Sequence, residues 1–227
     1  MEKGMGMETD RYTVKQIAGW LLLAGLLLAL SRPGMAGQGP VEVLQAMTDT
    51  LVDIAREDPD VINDIARLRV IAKEVVLARM DFNALSRWVL GKYWRTATPQ
   101  QRSDFIVEFR EMMLGSYLRS VSTYKDNGVR FHPVRGDLSK GRVIVHAEVD
   151  QSNGPVVHVT FRMRMVGDEW LIYDVAVEGI SLVATHRASF SREIRKSGMD
   201  SLIARLHAKN MKNAALEDQA AAIIVAE

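Results

Sequence analysis

The chain has 227 residues, no cysteine, and 29 basic against 28 acidic side chains. Without cysteine it can form no disulfide, no thiolate metal site and no lipid-modified cysteine anchor. A net charge near zero disfavours a nucleic-acid binder, because such proteins need a basic excess to neutralise phosphates.

The first 36 residues are predicted to form a cleavable secretory signal peptide. Basic residues precede an uncharged apolar run from Ile17 to Leu30, which is shorter than the roughly 20 residues that a membrane span needs. Gly34 and Ala36 supply the small residues of a cleavage site, so we expect cleavage after Ala36. An uncleaved N-terminal anchor is the alternative. Cleavage removes four basic and three acidic residues and leaves 25 of each.

The mature chain is predicted to begin with three helices, because apolar residues recur every three or four positions. The first spans Leu44–Ile54. Asp58–Pro59 supply an N-cap and a first-turn proline for the second, which carries apolar residues over Val61–Val76. A third, short helix holds Leu85–Val89 and ends near Gly91.

A long fourth helix has the clearest start. Thr98, Pro99 and Gln101 form a capping box with proline at the first helical position. An apolar stripe from Phe105 to Tyr124 predicts about 25 residues, ending before the turn signal Asn127–Gly128.

The apolar period then changes to two, which predicts strands. Four strands are expected, at Val129–Val134, Val143–Val149, Val157–Met165 and Leu171–Val177. Short turns join them, so the sheet should be antiparallel with one apolar face. Helices are expected to return after Ser189, with a break at Gly198 and Asp200 as the cap of the last helix.

This element order predicts an α+β fold. We expect a single cone-shaped domain over residues 37–210, in which a twisted antiparallel sheet of about four strands wraps long helices. Residues 211–227 are expected to be a C-terminal tail, helical or disordered. Such a cone can be filled with side chains or left partly hollow, and periodicity does not distinguish the two.

Motifs for catalysis or metal binding are absent from the sequence. It has no HExxH, no GxSxG and no phosphate-binding glycine loop. His146 and His158 could form a cross-strand metal pair, although solvated strand histidines are the commoner case. Asp104, Glu108 and Glu111 share one side of the long helix, either as paired carboxylates or as an ion-paired surface.

Two separated blocks of residues resemble the signature of the MlaC family, periplasmic phospholipid-binding proteins also called toluene-tolerance proteins. The blocks comprise Val89–Arg95, Ala97–Arg102 and Phe109–Arg110, and then Trp170, Ile172–Val175, Glu178–Val183, Arg187, Phe190, Gly198 and Leu202–Leu206. The resemblance covers about residues 41–209 and does not extend to the tail. It departs at Leu77–Arg79, where the family often has a Leu-Pro-His-like stretch.

The resemblance implies a soluble periplasmic monomer that is not an enzyme and needs no cofactor or metal. It implies that the protein carries a phospholipid between an outer-membrane lipoprotein complex and an inner-membrane ABC-transporter complex. It also implies an NTF2-like cone with acyl chains in an apolar internal pocket. Some relatives are hopanoid-associated, so a hopanoid is an alternative cargo.

On this basis we expect twelve residues to line the pocket: Val89, Tyr93, Phe105, Phe109, Met113, Tyr117, Val145, Val159, Phe161, Tyr173, Val175 and Ile180. Four basic residues are expected at its mouth, where they could meet a lipid phosphate or an acidic partner: Arg87, Lys92, Arg95 and Arg187. Two other functions stay open. One is an NTF2-like small-molecule enzyme with Asp174 or a pocket histidine as general base; the other is a structural adaptor with a filled core.

Overall fold

The computed structural model describes residues 37–121, 128–135, 137–151 and 154–225, and their side chains except at 117–121 and 217–225. The predicted signal peptide lies outside these residues. Seven α-helices occur in the described part, and shorter 3₁₀ and π turns connect some of them. The helices are α1 Pro40–Glu57, α2 Ile65–Ile71, α3 Phe82–Leu90, α4 Lys92–Thr96, α5 Pro99–Val121, α6 Leu182–Ser197 and α7 Met199–Val225.

The second predicted helix is divided, so that prediction was wrong. Pro59–Asn63 form a 3₁₀ turn, and Asp64 then caps α2 by accepting a hydrogen bond from the amide of Arg67 at 2.9 Å. A π turn at Ala72–Val76 and a 3₁₀ turn at Leu77–Arg79 follow α2. The helical spacing of apolar residues continues through these breaks. The local sequence marks the first break only by Asp64, whose side chain caps the new helix.

The capping box at the start of α5 is confirmed. The amide of Gln101 donates to the hydroxyl of Thr98 at 3.1 Å, and the amide of Thr98 donates to the side-chain oxygen of Gln101 at 3.0 Å. Two backbone donors at the helix start are thereby satisfied. The predicted end of this helix, after Val121, lies outside the described residues.

Within the described residues, five antiparallel strands form one sheet in sequence order. They are β1 Val129–Phe131, β2 Arg142–Val149, β3 Val157–Val166, β4 Glu169–Val177 and β5 Ile180–Ser181. The four predicted strands are confirmed, with β1 shorter than expected. The fifth strand was missed because two residues carry no periodicity. Glu178 and Gly179 join β4 to β5 with φ values of 49° and 77°, as the favoured two-residue hairpin turn requires.

The helices return earlier than predicted. Ser181 caps α6 by accepting a hydrogen bond from the amide of Ala184 at 3.1 Å, so the helix begins eight residues before the expected start after Ser189. The break at Gly198 is confirmed. Asp200 is not the cap of the last helix, because α7 already begins at Met199. The tail from residue 211 continues α7 as far as Val225.

Buried apolar side chains form two clusters. The helical cluster joins α2, α3, α5, α6 and α7, and the sheet cluster packs Val43 and Leu44 of α1 on the sheet. Met80, two residues before α3, is partly buried against both clusters. Within the described residues, no helix combines the length and the apolar character needed to span a bilayer.

Candidate functional site

One face of the sheet, called here the inner face, packs on α1. Val143 and Val145 of β2 are buried in the sheet cluster, and their cross-strand partners are Met163 and Phe161 of β3. Opposite residues of an antiparallel pair point to the same side. The register therefore places Val175, which pairs with Phe161, on the inner face as well.

Along β3 and β4 the burial of inner-face residues falls towards one end, whereas Ala147 and Val149 of β2 stay buried there. Val145 and Met163 are fully buried, whereas Val159, Phe161 and Val175 are only partly buried. At the end of the inner face, Val177 of β4, the cross-strand partner of Val159, is 47% exposed. We call this region the open end of the inner face; it comprises Val157, Val159, Phe161, Val175 and Val177.

Aromatic side chains flank the open end. The ring of Phe161 lies 6.2 Å from that of Phe131 on β1. Tyr173 occupies a bulge, since the register of β4 against β3 shifts beside it. Its ring stacks at 6.5 Å on Trp88 of α3, which is 48% exposed. Bulges aim a side chain away from the regular alternation, and here the bulge turns a tyrosine towards α3.

Four of the twelve predicted pocket residues lie in the helical cluster instead. Val89, Phe105, Phe109 and Met113 are at most 5% exposed there. The rings of Phe105 and Phe109 stack at 5.4 Å, and Phe190 packs edge-on against both. This packing separates them from the sheet cluster.

The other predicted pocket residues fall into three groups. Val145, Phe161 and Val175 belong to the sheet cluster or pack against it, and Val159 adjoins them by register. Tyr93 and Tyr173 are partly buried, while Ile180 is 70% exposed. The side chain of Tyr117 lies outside the described part. Val157 and Val177 lie on the same face of the sheet as Val159. Strict alternation along β3 and β4 could have identified both as inner-face residues.

The four predicted mouth residues are exposed and surround the junction of α3 and α4. The guanidinium of Arg87 lies 5.9 Å from the ring of Trp94, and the ammonium of Lys92 lies 5.1 Å from that of Tyr93. Arg187 covers Gly91, where an added Cβ would stand 2.5 Å from its guanidinium. Within the described residues, none of the four forms an ion pair with a carboxylate.

Asp174, the candidate general base, is buried and its oxygens are engaged. One oxygen accepts from the hydroxyl of Ser181 at 2.7 Å, and the other accepts from the amide of Val183 at 3.2 Å. Arg162 stands 3.8 Å away. The carboxylate thus stabilises the amino-terminal turn of α6, where negative charge is favourable.

The predicted carboxylate group of α5 does not converge. Glu111 pairs with Arg69 and with Lys73, the latter at 3.3 Å, whereas Glu108 contacts His207 at 2.8 Å. These contacts favour the ion-paired surface over paired carboxylates. Asp104 accepts from Gln100 at 2.8 Å.

The strand histidines have protein partners. His146 contacts Thr160 at 3.2 Å, and His158 lies 3.4 Å from Glu178. The amide of His158, and to a lesser extent its ring, hold the pKa of Glu178 below its usual range. Across the part of the chain that the structure describes, no three histidine or acidic side chains come together as a metal site.

His186 of α6 is partly buried beside two aromatic rings of the helical cluster. Its ring lies 5.6 Å from that of Phe109 and 5.4 Å from that of Phe190. Burial lowers the pKa of His186, and the charge of Lys209 lowers it further. The imidazole is therefore uncharged at neutral pH, which suits its apolar surroundings.

Comparison with known proteins adds independent findings. The family model described as MlaC protein matches residues 45–208. Toluene tolerance protein Ttg2D of Pseudomonas putida is 27% identical over 183 residues, which are 77% of this chain and 82% of that protein. The intermembrane phospholipid transport system binding protein MlaC of Haemophilus influenzae is 22% identical over 198 residues, 84% of this chain and 92% of that one.

A solved structure shares the fold. It is the phospholipid-binding protein from Ralstonia solanacearum in complex with a phospholipid, with a TM-score of 0.69 and 22% identity. The match covers 76% of this chain and 97% of that chain.

Proposed function

The chain belongs to the MlaC family, and on that premise we propose that it binds a phospholipid and carries it through the periplasm without catalysing a reaction. The acyl chains lie against the inner face of the sheet. The signal peptide delivers the protein to that compartment.

The observation that carries this proposal is the open end of the inner face. Val159, Phe161 and Val175 point inwards by register yet stay partly exposed. Burying apolar surface is worth about 25 cal/mol per Å², so a protein gains nothing by leaving an inward-pointing row uncovered. Acyl chains would cover it. A diacyl lipid hides about 30 methylenes at about 0.8 kcal/mol each, so it crosses water only inside a carrier.

The basic cluster at the α3–α4 junction is proposed to face the head group or a docking partner. Arg87, Lys92, Arg95 and Arg187 have no carboxylate partner among the described residues. Such charges can meet a phosphate. We further propose docking to an outer-membrane lipoprotein complex and an inner-membrane ABC-transporter complex. The direction of transfer then follows from their different affinities for the loaded and the empty carrier.

The contacts of Asp174 favour the carrier over the enzyme alternative. Both of its oxygens already accept hydrogen bonds from Ser181 and Val183, so a general base at this position would have to break contacts that hold α6. The hopanoid alternative concerns the cargo alone, and identification of the bound lipid decides it.

The test is native mass spectrometry of the secreted protein, followed by lipid extraction. Val177 on the inner face and Ile144 on the outer face are each 47% exposed, which makes Val177→Lys and Ile144→Lys a matched pair. A charge within the acyl-chain site is costly, so we expect Val177→Lys to reduce lipid occupancy about tenfold and Ile144→Lys to leave it unchanged. A wild-type protein that carries no lipid and cannot be loaded would refute the proposal, and so would equal loss in both variants.

A further inference from the structure

A second surface lies between α5 and α7, on helices whose contacts are described in detail. A groove of about 380 Å³ runs between them. Apolar Val107, Ile203 and Ala204 line it together with Asp104, Glu108, Asp200 and His207. Val107 is 56% exposed, so the groove is open to solvent at this residue.

The two helices run parallel and hold the groove at a fixed width. Near its start the side-chain amide of Gln101 donates to Asp200 at 2.7 Å, and further along Glu108 contacts His207 at 2.8 Å. Beyond the groove, Asn213 packs closely on buried Gly115: a Cβ added at position 115 would lie 3.3 Å from the side-chain nitrogen of Asn213. The contacts follow one another in the same order along both helices, so the groove is part of the packed structure.

Two carboxylates of the groove, Asp104 and Asp200, accept hydrogen bonds from the neutral side chains of Gln100 and Gln101. Among the described residues, neither Asp104, Glu108 nor Asp200 pairs with a lysine or arginine. Arginines close to them in sequence have other partners: Arg102 donates to the carbonyl of Trp94 at 2.9 Å, and Arg205 donates to Glu193 at 2.6 and 2.7 Å. Glu108 contacts His207, so the groove combines apolar side chains with two carboxylates, Asp104 and Asp200, that have no cationic partner among the described residues.

We propose that this groove docks a basic amphipathic helix of a partner protein. Small apolar side chains of that helix would cover Val107 and Ala204, while lysine or arginine residues meet Asp104 and Asp200. Complementary charge of this kind guides association and fixes orientation. A small-molecule site normally buries most of its ligand, and an exposed Val107 does not suit that role.

A second copy of this chain is a poorer occupant. Its own unpaired basic cluster, around Arg87, Lys92 and Arg187, could meet the acidic groove of a neighbour. That contact joins two different surfaces, so it is head-to-tail and builds rings or open chains instead of a closed pair. We therefore assign the groove to a different protein, independently of the lipid site.

The experiment places a photo-crosslinking amino acid at position 107 of the full chain in living cells, with exposed Val70 (52% exposed) as the control position. Mass spectrometry identifies the attached peptide. We expect a peptide from another protein that carries lysine or arginine with helical spacing. The triple variant Asp104→Asn, Glu108→Gln, Asp200→Asn should reduce the adduct about tenfold, since several partly exposed charge contacts are lost together.

A matched triple variant controls for net charge. Glu57→Gln, Glu74→Gln and Asp168→Asn remove the same charge from exposed positions away from the groove and should leave the adduct unchanged. Adducts to this chain itself, to lipid, to a peptide without basic residues, or at no more than the Val70 level would each overturn the proposal. Lipid occupancy measured on the same variants keeps the two proposals separate, because the groove variants should retain their lipid.

Discussion

Replacement of Asp81 should destabilise the fold more than replacement of any exposed cap. Asp81 precedes α3 and is buried, with its side chain 6% exposed. One oxygen accepts from the amide of Ala84 at 2.9 Å and caps the helix. The other accepts from Arg164 of β3, and the backbone amide of Asp81 donates to Ile172 of β4 at 2.8 Å. One residue thus joins a helix to two strands.

The magnitude follows from these contacts. Loss of an N-cap costs about 1 kcal/mol, and loss of a hydrogen bond between charged groups costs about 1.5–3 kcal/mol. Asp81→Ala should therefore lower the free energy of unfolding by about 3 kcal/mol. For a domain of this size that corresponds to about 6–12 °C in melting temperature. Asp81→Asn keeps a capping oxygen and should cost less.

Asp64 supplies the matched control, because it caps α2 in an exposed position and, within the described part of the chain, its side chain accepts only from the amide of Arg67, at 2.9 Å. Asp64→Ala should cost about 1 kcal/mol. Urea unfolding followed by circular dichroism measures both variants. If Asp81→Ala costs no more than Asp64→Ala, the contact with Arg164 contributes nothing and the reasoning fails.

Burial lowers the pKa of His186 in the folded protein. The free energy of unfolding should therefore be highest above about pH 6.5 and should decrease as the pH falls from there towards the lower folded-state pKa. In urea unfolding, His186→Leu should make the free energy of unfolding less dependent on pH over this range. Gly91→Ala should lower the melting temperature more than Gly167→Ala. Both have positive φ, 56° and 60°, but a Cβ at 91 also forces the flexible guanidinium of Arg187 to move aside, which adds a small cost; a larger loss for Gly167→Ala would contradict this. Asp174→Asn should cost about 1 kcal/mol and leave lipid occupancy unchanged, and a loss of lipid without destabilisation would refute a purely structural role.

The fold could be predicted where one local signal dominates. The capping box of α5 and the alternation of β2 to β4 depend on neighbouring residues alone, and both are confirmed. The start of α6 was misplaced because Ser181 acts as its cap only with support from Asp174, seven residues earlier. The division of the second helix at Asp64 was hidden by an apolar period that continues through it.

The candidate site was harder to predict, because periodicity tells which side of an element is apolar and not which cluster it joins. Phe105 and Phe109 have the pattern of a pocket wall, yet they stack on one another inside the helical cluster. Phe161 and Val175 have the same apolar character and stay partly exposed on the sheet. The difference lies in how helices and sheet approach one another, which no local pattern contains.

The order of the strands has a consequence for how the chain folds. Each strand pairs only with its neighbours in sequence, β1 to β5, so the sheet closes through short loops with little loss of chain entropy. By contrast, α5 meets α7 across 99 residues at Gln101 and Asp200. We expect the sheet to form early and the docking of α7 on α5 to complete the domain late.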